Sequence, residues 1–278
     1  MNTTVTASNM QVKAMADQGI LINEVANADS TAWDSEATTN QAAPILLRAT
    51  STANTKTWYV AYSTKSSSSA SATQGAASAD LAEGGYTALT LASETVQAAS
   101  AGVSAKQDVF YVDNGTNGYD DGEGYYVRYT YYLKSSADEI TLGLTQGAQN
   151  LNINQVIVSG VTGSANLDAA LRVAVVIGGK AYIFAPVANA TTTYYVAAGQ
   201  TATTALTSTP QATALGSLPA TTAAGTPVEI YLYFEGEDAL LKTDSITSTL
   251  DNLNVTVKFS LVTNSSAATD NGVTVPNA

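Results

Sequence analysis

Residues 171–184 read LRVAVVIGGKAYIF, and this stretch predicts a β-hairpin. Apolar residues occupy every second position from Leu171 to Ile177, which is the pattern of a strand with a buried face. Gly178 and Gly179 follow, and glycine readily adopts the positive φ angles of the two-residue turns that close hairpins. The residues after this turn supply the second strand of an antiparallel pair.

The same alternation recurs along the chain and is clearest at residues 125–133, 228–234 and 253–261. Many short strands joined by polar turns are typical of a sandwich or a barrel. We therefore predict an all-β fold, an antiparallel β-sandwich or jelly roll. Weaker patterns predict strands at 20–25, 45–49, 57–63, 86–92, 108–112, 151–158 and 193–197, and short helical turns at 78–83 and 245–251.

Two stretches between the predicted strands have a low-complexity composition. Residues 64–80 and 198–227 are rich in alanine, serine and threonine, and they hold too little apolar area to form a core of their own. We expect them to be long loop insertions. The predicted organisation is an N-terminal strand at 1–14, followed by a single β-sandwich domain at 15–278.

The composition excludes most common chemistry. The 278 residues include no histidine and no cysteine, so triads that use them, zinc-thiolate sites and disulfides are ruled out. We expect a protein that is not an enzyme and that needs no cofactor. The net charge of -12 makes nucleic acid an unfavourable partner, because binding to phosphates requires clustered lysine and arginine.

The chain carries no obvious membrane or export signal. No stretch approaches the roughly 20 apolar residues that span a bilayer, and the opening residues, MNTTVTASNM, are not a signal peptide. A mature exported chain and a cytosolic chain look alike on this point. The absence of cysteine favours export, and we expect an extracellular or cell-surface protein after removal of a signal peptide that this chain does not hold.

Two groups of residues are candidates for ligand binding. The carboxylates and amides of the loop 113–123 are ligands that Ca²⁺ accepts, although a solvated loop between strands explains them as well. We interpret Glu235, Glu237 and Asp238 as an acidic loop. Aromatic residues could stack on sugars or be buried between the sheets; they include Trp33, Trp58, Tyr59 and Tyr62.

The terminal segments predict a mode of self-assembly. The N-terminal strand has no hairpin partner nearby, and residues 271–276 form a shorter candidate at the other end. A free terminal strand can pair with the open sheet edge of another molecule, and such a head-to-tail contact propagates into a fibre. The alternative is that residues 1–14 pair within their own domain. The predicted donor residues are Thr3, Val5, Ala7, Met10 and Val12.

Residues 3–15, TTVTASNMQVKAM, resemble the start of mature proteins of the TasA/camelysin family. The segments LRVAVVIGGKAYIFAP, VEIYLYFEGED and LNVTVKFSLV are similar to those of secreted proteins of Gram-positive bacteria. TasA-type proteins are exported jelly-roll subunits of biofilm-matrix fibres, joined by donation of the N-terminal strand. The resemblance implies the same fold and assembly. The metalloprotease activity described for some camelysin-type members is not implied, because histidine is absent.

The first functional hypothesis is therefore a structural subunit of an extracellular, pilus-like or biofilm-matrix filament, with copies of itself as partners. A second hypothesis is a secreted carbohydrate-binding or adhesive surface module that uses Trp58, Tyr59 and nearby aromatic residues. A capsid or surface-layer protein is a third class. Fibres, binding to glycans and closed shells or flat lattices would distinguish the three.

Overall fold

The structure is a computed structural model of a single chain. It describes residues 4–16, 19–26, 32–41, 45–52, 54–56, 58–61, 86–88, 94–96, 110–112, 123–136, 149–159, 170–188, 193–197, 213–218, 225–235, 247–261 and 273–274. Most of these residues belong to β-strands, and none of the described elements is a helix.

The strands are numbered in chain order. The first ten are β1 (Thr4–Ser8), β2 (Met10–Ala16), β3 (Ile20–Asn23), β4 (Glu36–Gln41), β5 (Ile45–Arg48), β6 (Ser51–Thr52), β7 (Trp58–Ala61), β8 (Tyr86–Ala88), β9 (Glu94–Val96) and β10 (Phe110–Val112). The others are β11 (Glu123–Gly124), β12 (Tyr126–Ser135), β13 (Gln149–Ser159), β14 (Leu171–Ile177), β15 (Lys180–Ala188), β16 (Thr193–Ala197), β17 (Thr213–Leu218), β18 (Thr226–Phe234), β19 (Thr247–Asp251), β20 (Asn254–Leu261) and β21 (Val273–Thr274).

The hairpin predicted around Gly178 and Gly179 is confirmed. Strands β14 and β15 pair antiparallel, with Ile177 opposite Lys180 at the turn. The two glycines have φ angles of 59° and 74°, as a primed two-residue turn requires. This hairpin lies inside the largest sheet.

The largest sheet follows the order β3-β12-β18-β14-β15-β16-β13-β20-β2-β4, with β17 and β21 paired beside this path to β13 and β15. The ends of the path approach each other, because Ile22 in β3 exchanges two backbone hydrogen bonds with Asp34, just before β4. The order therefore folds into two layers that face each other. A four-stranded sheet, β11-β5-β1-β19, continues from one end of these layers.

One hydrophobic core lies between the two layers, and this confirms the predicted β-sandwich. Its side chains come from alternate positions of the strands, as half-buried strands require. Each large apolar side chain buried in this way contributes about 1.5–3 kcal/mol to stability. The core includes Val127, Tyr129, Tyr131 and Leu133 of β12, Val228, Ile230, Leu232 and Phe234 of β18, and Val255, Val257, Phe259 and Leu261 of β20.

Two expectations about local structure differ from the structure. Residues 245–251 were expected to form a helical turn, and this is wrong: Thr247–Asp251 is β19, which pairs with β1. The long-range pairing, together with two β-branched threonines, overrides the weak helical pattern. The expected insertion at 198–227 contains β17, Thr213–Leu218, which pairs with β13. The stretches 64–80 and 78–83 lie outside the described residues.

Gly225 cannot be replaced without strain. Its φ is +72°, and a Cβ atom there would lie 2.6 Å from Cη2 of Trp33. We expect Gly225→Ala to lower the free energy of unfolding by about 2–4 kcal/mol, since backbone strain and a steric clash add. Gly179 is the control, because its φ is +74° but nothing lies within 4 Å of the added atom. Urea unfolding should show a smaller loss for Gly179→Ala, and equal losses would contradict the steric argument.

Candidate functional site

The N-terminal segment forms two consecutive strands that are enclosed on both sides. Strand β1 lies between β19, to which it is parallel, and β5, to which it is antiparallel. Strand β2 lies in the same way between β20 and β4. We call the space between β4–β5 and β19–β20 the strand slot. In this single chain, residues 4–16 of the chain itself fill the strand slot.

The segment contributes one face to the main core. Ala7, Met10, Val12 and Ala14 are at most 2% exposed and belong to that core. Of the other predicted donor residues, Val5 lies in β1. Thr3 is outside the described residues. Burial alternates as predicted from Met10 to Ala14, whereas Ala7 and Met10 are three positions apart and interrupt the predicted pattern.

The opposite face of the segment carries polar contacts to β4. The Gln11 side-chain amide donates a hydrogen bond of 2.9 Å to the Asn40 side-chain oxygen. Lys13 forms an ion pair of 3.3 Å with Glu36. An exposed ion pair of this kind contributes less than about 1 kcal/mol. The buried face therefore holds the segment, while the polar face adds specificity for the neighbouring strand.

A tyrosine in the facing layer also contacts the segment. The Tyr131 hydroxyl, which is buried, donates a hydrogen bond of 2.9 Å to the Val12 carbonyl oxygen. Because β2 also pairs with strands on either side, its backbone is bonded in the plane of the sheet and from the layer opposite. Burial raises the pKa of the Tyr131 hydroxyl above its ordinary value.

Three buried tyrosines make the fold sensitive to alkali. Burial raises the pKa of Tyr131, Tyr231 and Tyr233, and a nearby carboxylate adds to the effect on each of them. A raised folded-state pKa gives stability that is complete below the unfolded value near 10 and is lost as the pH rises beyond it.

We expect the free energy of unfolding in urea to be lower at about pH 11 than at about pH 8, because the unfolded chain then releases tyrosine protons that the folded chain retains. Tyr131→Phe should reduce this dependence on pH. Equal free energies of unfolding at the two pH values, or a Tyr131→Phe variant with the same dependence on pH as the unsubstituted protein, would contradict the expectation.

The strand slot is defined by distant parts of the sequence. The segment in it is followed in the chain by β3, and β3 pairs with β12 in the other layer. Without the segment, β20 and β4 would each present unpaired backbone groups beside an open core. A groove of this kind accepts one extended strand of matching side chains, as in β-strand addition.

Sequence reasoning missed part of the strand slot. Strand β4 reads EATTNQ, in which Ala37 and Thr39 are the buried residues. Neither side chain is large and apolar, so the stretch shows little hydrophobic alternation. Charged and amide residues at the alternate positions are the weak signal that could have indicated a strand with one solvated face.

The C-terminal candidate 271–276 contains β21, which pairs with β15 of its own chain.

The aromatic residues do not form an exposed platform where the structure describes them. Trp58 is 0% exposed. It stacks on Tyr126 at 4.3 Å between ring centroids. Trp33 is 7% exposed and lies 4.3 Å from the Lys134 ammonium. The hypothesis of a sugar-stacking surface at Trp58 is therefore corrected, because its ring faces are covered by protein. The side chains of Tyr59 and Tyr62 lie outside the description.

The candidate metal ligands are not brought together. Of the loop 113–123, only Glu123 is described, and it belongs to β11. Glu235 is buried, and its backbone N–H donates to the Ala170 carbonyl oxygen. Glu237 and Asp238 lie outside the described residues. Among the residues that are described, no three histidine, cysteine, aspartate or glutamate side chains form a cluster that could hold a metal ion.

Comparisons of the chain with protein-family models, with curated proteins and with solved structures gave no match. In the described part of the chain, no helix is both long enough and apolar enough to cross a membrane. The function is therefore inferred from the geometry of the chain itself.

Proposed function

We propose that the protein is a structural subunit of an extracellular homopolymer, in which residues 4–16 of one copy fill the strand slot of the next. The observation that carries the proposal is the position of this segment. It lies in the middle of the sheets, parallel to β19–β20, and no hairpin connects it to either neighbour. Transfer to a second copy would preserve all of its contacts.

The burial of apolar surface is the same within one chain and between copies. The apolar face of the segment leaves water whether the slot belongs to its own chain or to a neighbour, and Met10 and Val12 each contribute about 1.5–3 kcal/mol. The connection from β2 to β3 would then link two copies. If each copy donates its strand to one neighbour and accepts a strand from a different one, the contact does not close and the polymer can grow.

The composition supports an exported structural role. The chain lacks cysteine and histidine, and only 12% of its residues are charged. A surface of neutral polar side chains loses little hydration when copies pack side by side. No catalytic activity and no cofactor are part of the proposal.

Engineered cysteines can distinguish the two arrangements. Gln11 and Asn40 are paired across β2 and β4, and their side chains touch, so cysteines at both positions should form a disulfide. Because the chain has no cysteine of its own, Q11C/N40C gives one possible bond in each slot. After oxidation of assembled material, a denaturing gel should show a ladder of covalent oligomers.

Each single-cysteine variant is a control, and it should give at most a dimer. Reduction should return the ladder to monomer. Monomers with an internal disulfide, under conditions in which the protein forms fibres in electron micrographs, would overturn strand donation. Covalent dimers without higher species would indicate reciprocal exchange in place of a growing polymer.

A further inference from the structure

The pairing between the N-terminal segment and β19–β20 keeps one register over its whole length. Thr4 pairs with Thr247 and Ser8 with Asp251 in the first part. Gln11 pairs with Asn254 in the second part, at the same offset in sequence. In a hairpin the turn sets the register. These strands come from opposite ends of the chain, so their register must be determined by the strands themselves.

The backbone is kinked once between β1 and β2 and once between β19 and β20, at positions that lie opposite each other in the register. Asn9 has a φ of 49° and Asn252 a φ of 61°, and these two residues lie side by side in the register. Both are in the left-handed region, which asparagine tolerates better than other residues with side chains. Directly after the kink, the Gln11 N–H donates a hydrogen bond of 2.8 Å to the Leu253 carbonyl oxygen.

The kink changes which positions face the core. A regular strand buries every second residue, but the buried Ala7 and Met10 are three positions apart. Asn9 is the additional residue and is exposed. A segment displaced by two residues would place Asn9 beside Asn254, where the partner strand is straight. The two kinks then no longer coincide, and the pairing is interrupted on one side.

We infer that Asn9 and Asn252 determine the register in which the segment enters the strand slot. Under the proposed function, on which this role in assembly rests, they determine the position at which the donated strand of one copy is held in the strand slot of the next copy. They are positioning residues, because they bury no apolar surface and act only through the backbone conformation that they permit.

Two disulfide reporters measure the register. Q11C/N40C reports the observed pairing. Q11C/T38C reports a displacement by two residues, since Thr38 is the next position on the same face of β4. Asn9→Val should lower the ratio of the first crosslink to the second by about 5- to 30-fold, because a β-branched residue resists a positive φ. Asn252→Val should act in the same direction.

The substitutions Asn9→Gly and Asn252→Gly should retain the observed ratio, since glycine adopts positive φ freely. Asn9→Ala should strain the backbone less than Asn9→Val, so the crosslink ratio can be measured in the alanine variant if the valine variant does not fold. Thr256→Val, on the straight part of β20, is the matched control and should leave the ratio unchanged. Unchanged ratios in the valine and alanine variants would overturn the inference.

The two proposals fail separately in this experiment. The crosslink ratio is counted whether the disulfide lies within a chain or between chains. A changed ratio in chains that stay monomeric would support the register inference and contradict strand donation. A covalent ladder with unchanged ratios would support strand donation and contradict the register inference.

Discussion

Val12→Asp is expected to lower the free energy of unfolding by more than about 4 kcal/mol. Val12 is 0% exposed, lies in the main core, and its carbonyl oxygen accepts the Tyr131 hydrogen bond. An aspartate side chain there would place a carboxylate among apolar groups, where it would either stay charged without a partner or become protonated. Both outcomes cost free energy that the unfolded chain does not lose.

Urea unfolding of the purified variant measures this effect. Thr256→Asp is the control, because it introduces the same charge on the outer face of β20, beside Lys13, and should change stability by less than about 1 kcal/mol. A Val12→Asp variant as stable as this control would show that the slot does not hold the segment as described. In the proposed polymer, the variant should also fail to donate its strand and should form no fibres.

Trp58→Ala is expected to lower the free energy of unfolding by about 3–5 kcal/mol. Trp58 is fully buried in a second apolar cluster on the outer face of the layer that contains β12, β14 and β18. Its indole N–H donates a hydrogen bond of 3.2 Å to the Thr55 carbonyl oxygen, and its ring meets Tyr233 edge-on at 5.1 Å. Alanine would lose this packing and leave a cavity.

Urea unfolding and near-ultraviolet circular dichroism would detect the loss. Val25→Ala is the control, because Val25 is 38% exposed and its truncation should cost less than about 0.5 kcal/mol. A Trp58→Ala variant with native stability would contradict the buried position. Loss of glycan binding in Trp58→Ala alone would therefore not identify a sugar site, since the same change weakens the fold.

The strands of the main core could be predicted from the sequence because their signal is local. In β18 and β20 every second residue is large and apolar, and this alternation needs no knowledge of partners. The glycine pair at the hairpin is local in the same sense. Both predictions are confirmed.

The strand slot could be predicted only in part. The alternation from Thr3 to Ala7 and from Met10 to Val12 indicates strands, but β4 carries small and polar residues, and β19 resembles a helical turn when its pairing with β1 is unknown. Pairings between residues so far apart depend on the assembled core. The burial of Trp58 could not be predicted for the same reason, because the residues that pack on its ring belong to β12 and β18, which are distant in sequence.

The direction of the N-terminal segment bears on how a polymer would carry load. The segment lies lengthwise along β19–β20 and leaves the slot at the end of β2, where the chain connects to β3. In the proposed polymer, tension on that connection would act along the strand, so that the backbone bonds on both sides would be sheared together. Bonds loaded in parallel resist more force than bonds broken one after another, and such a fibre would stretch its connections before it lost a subunit.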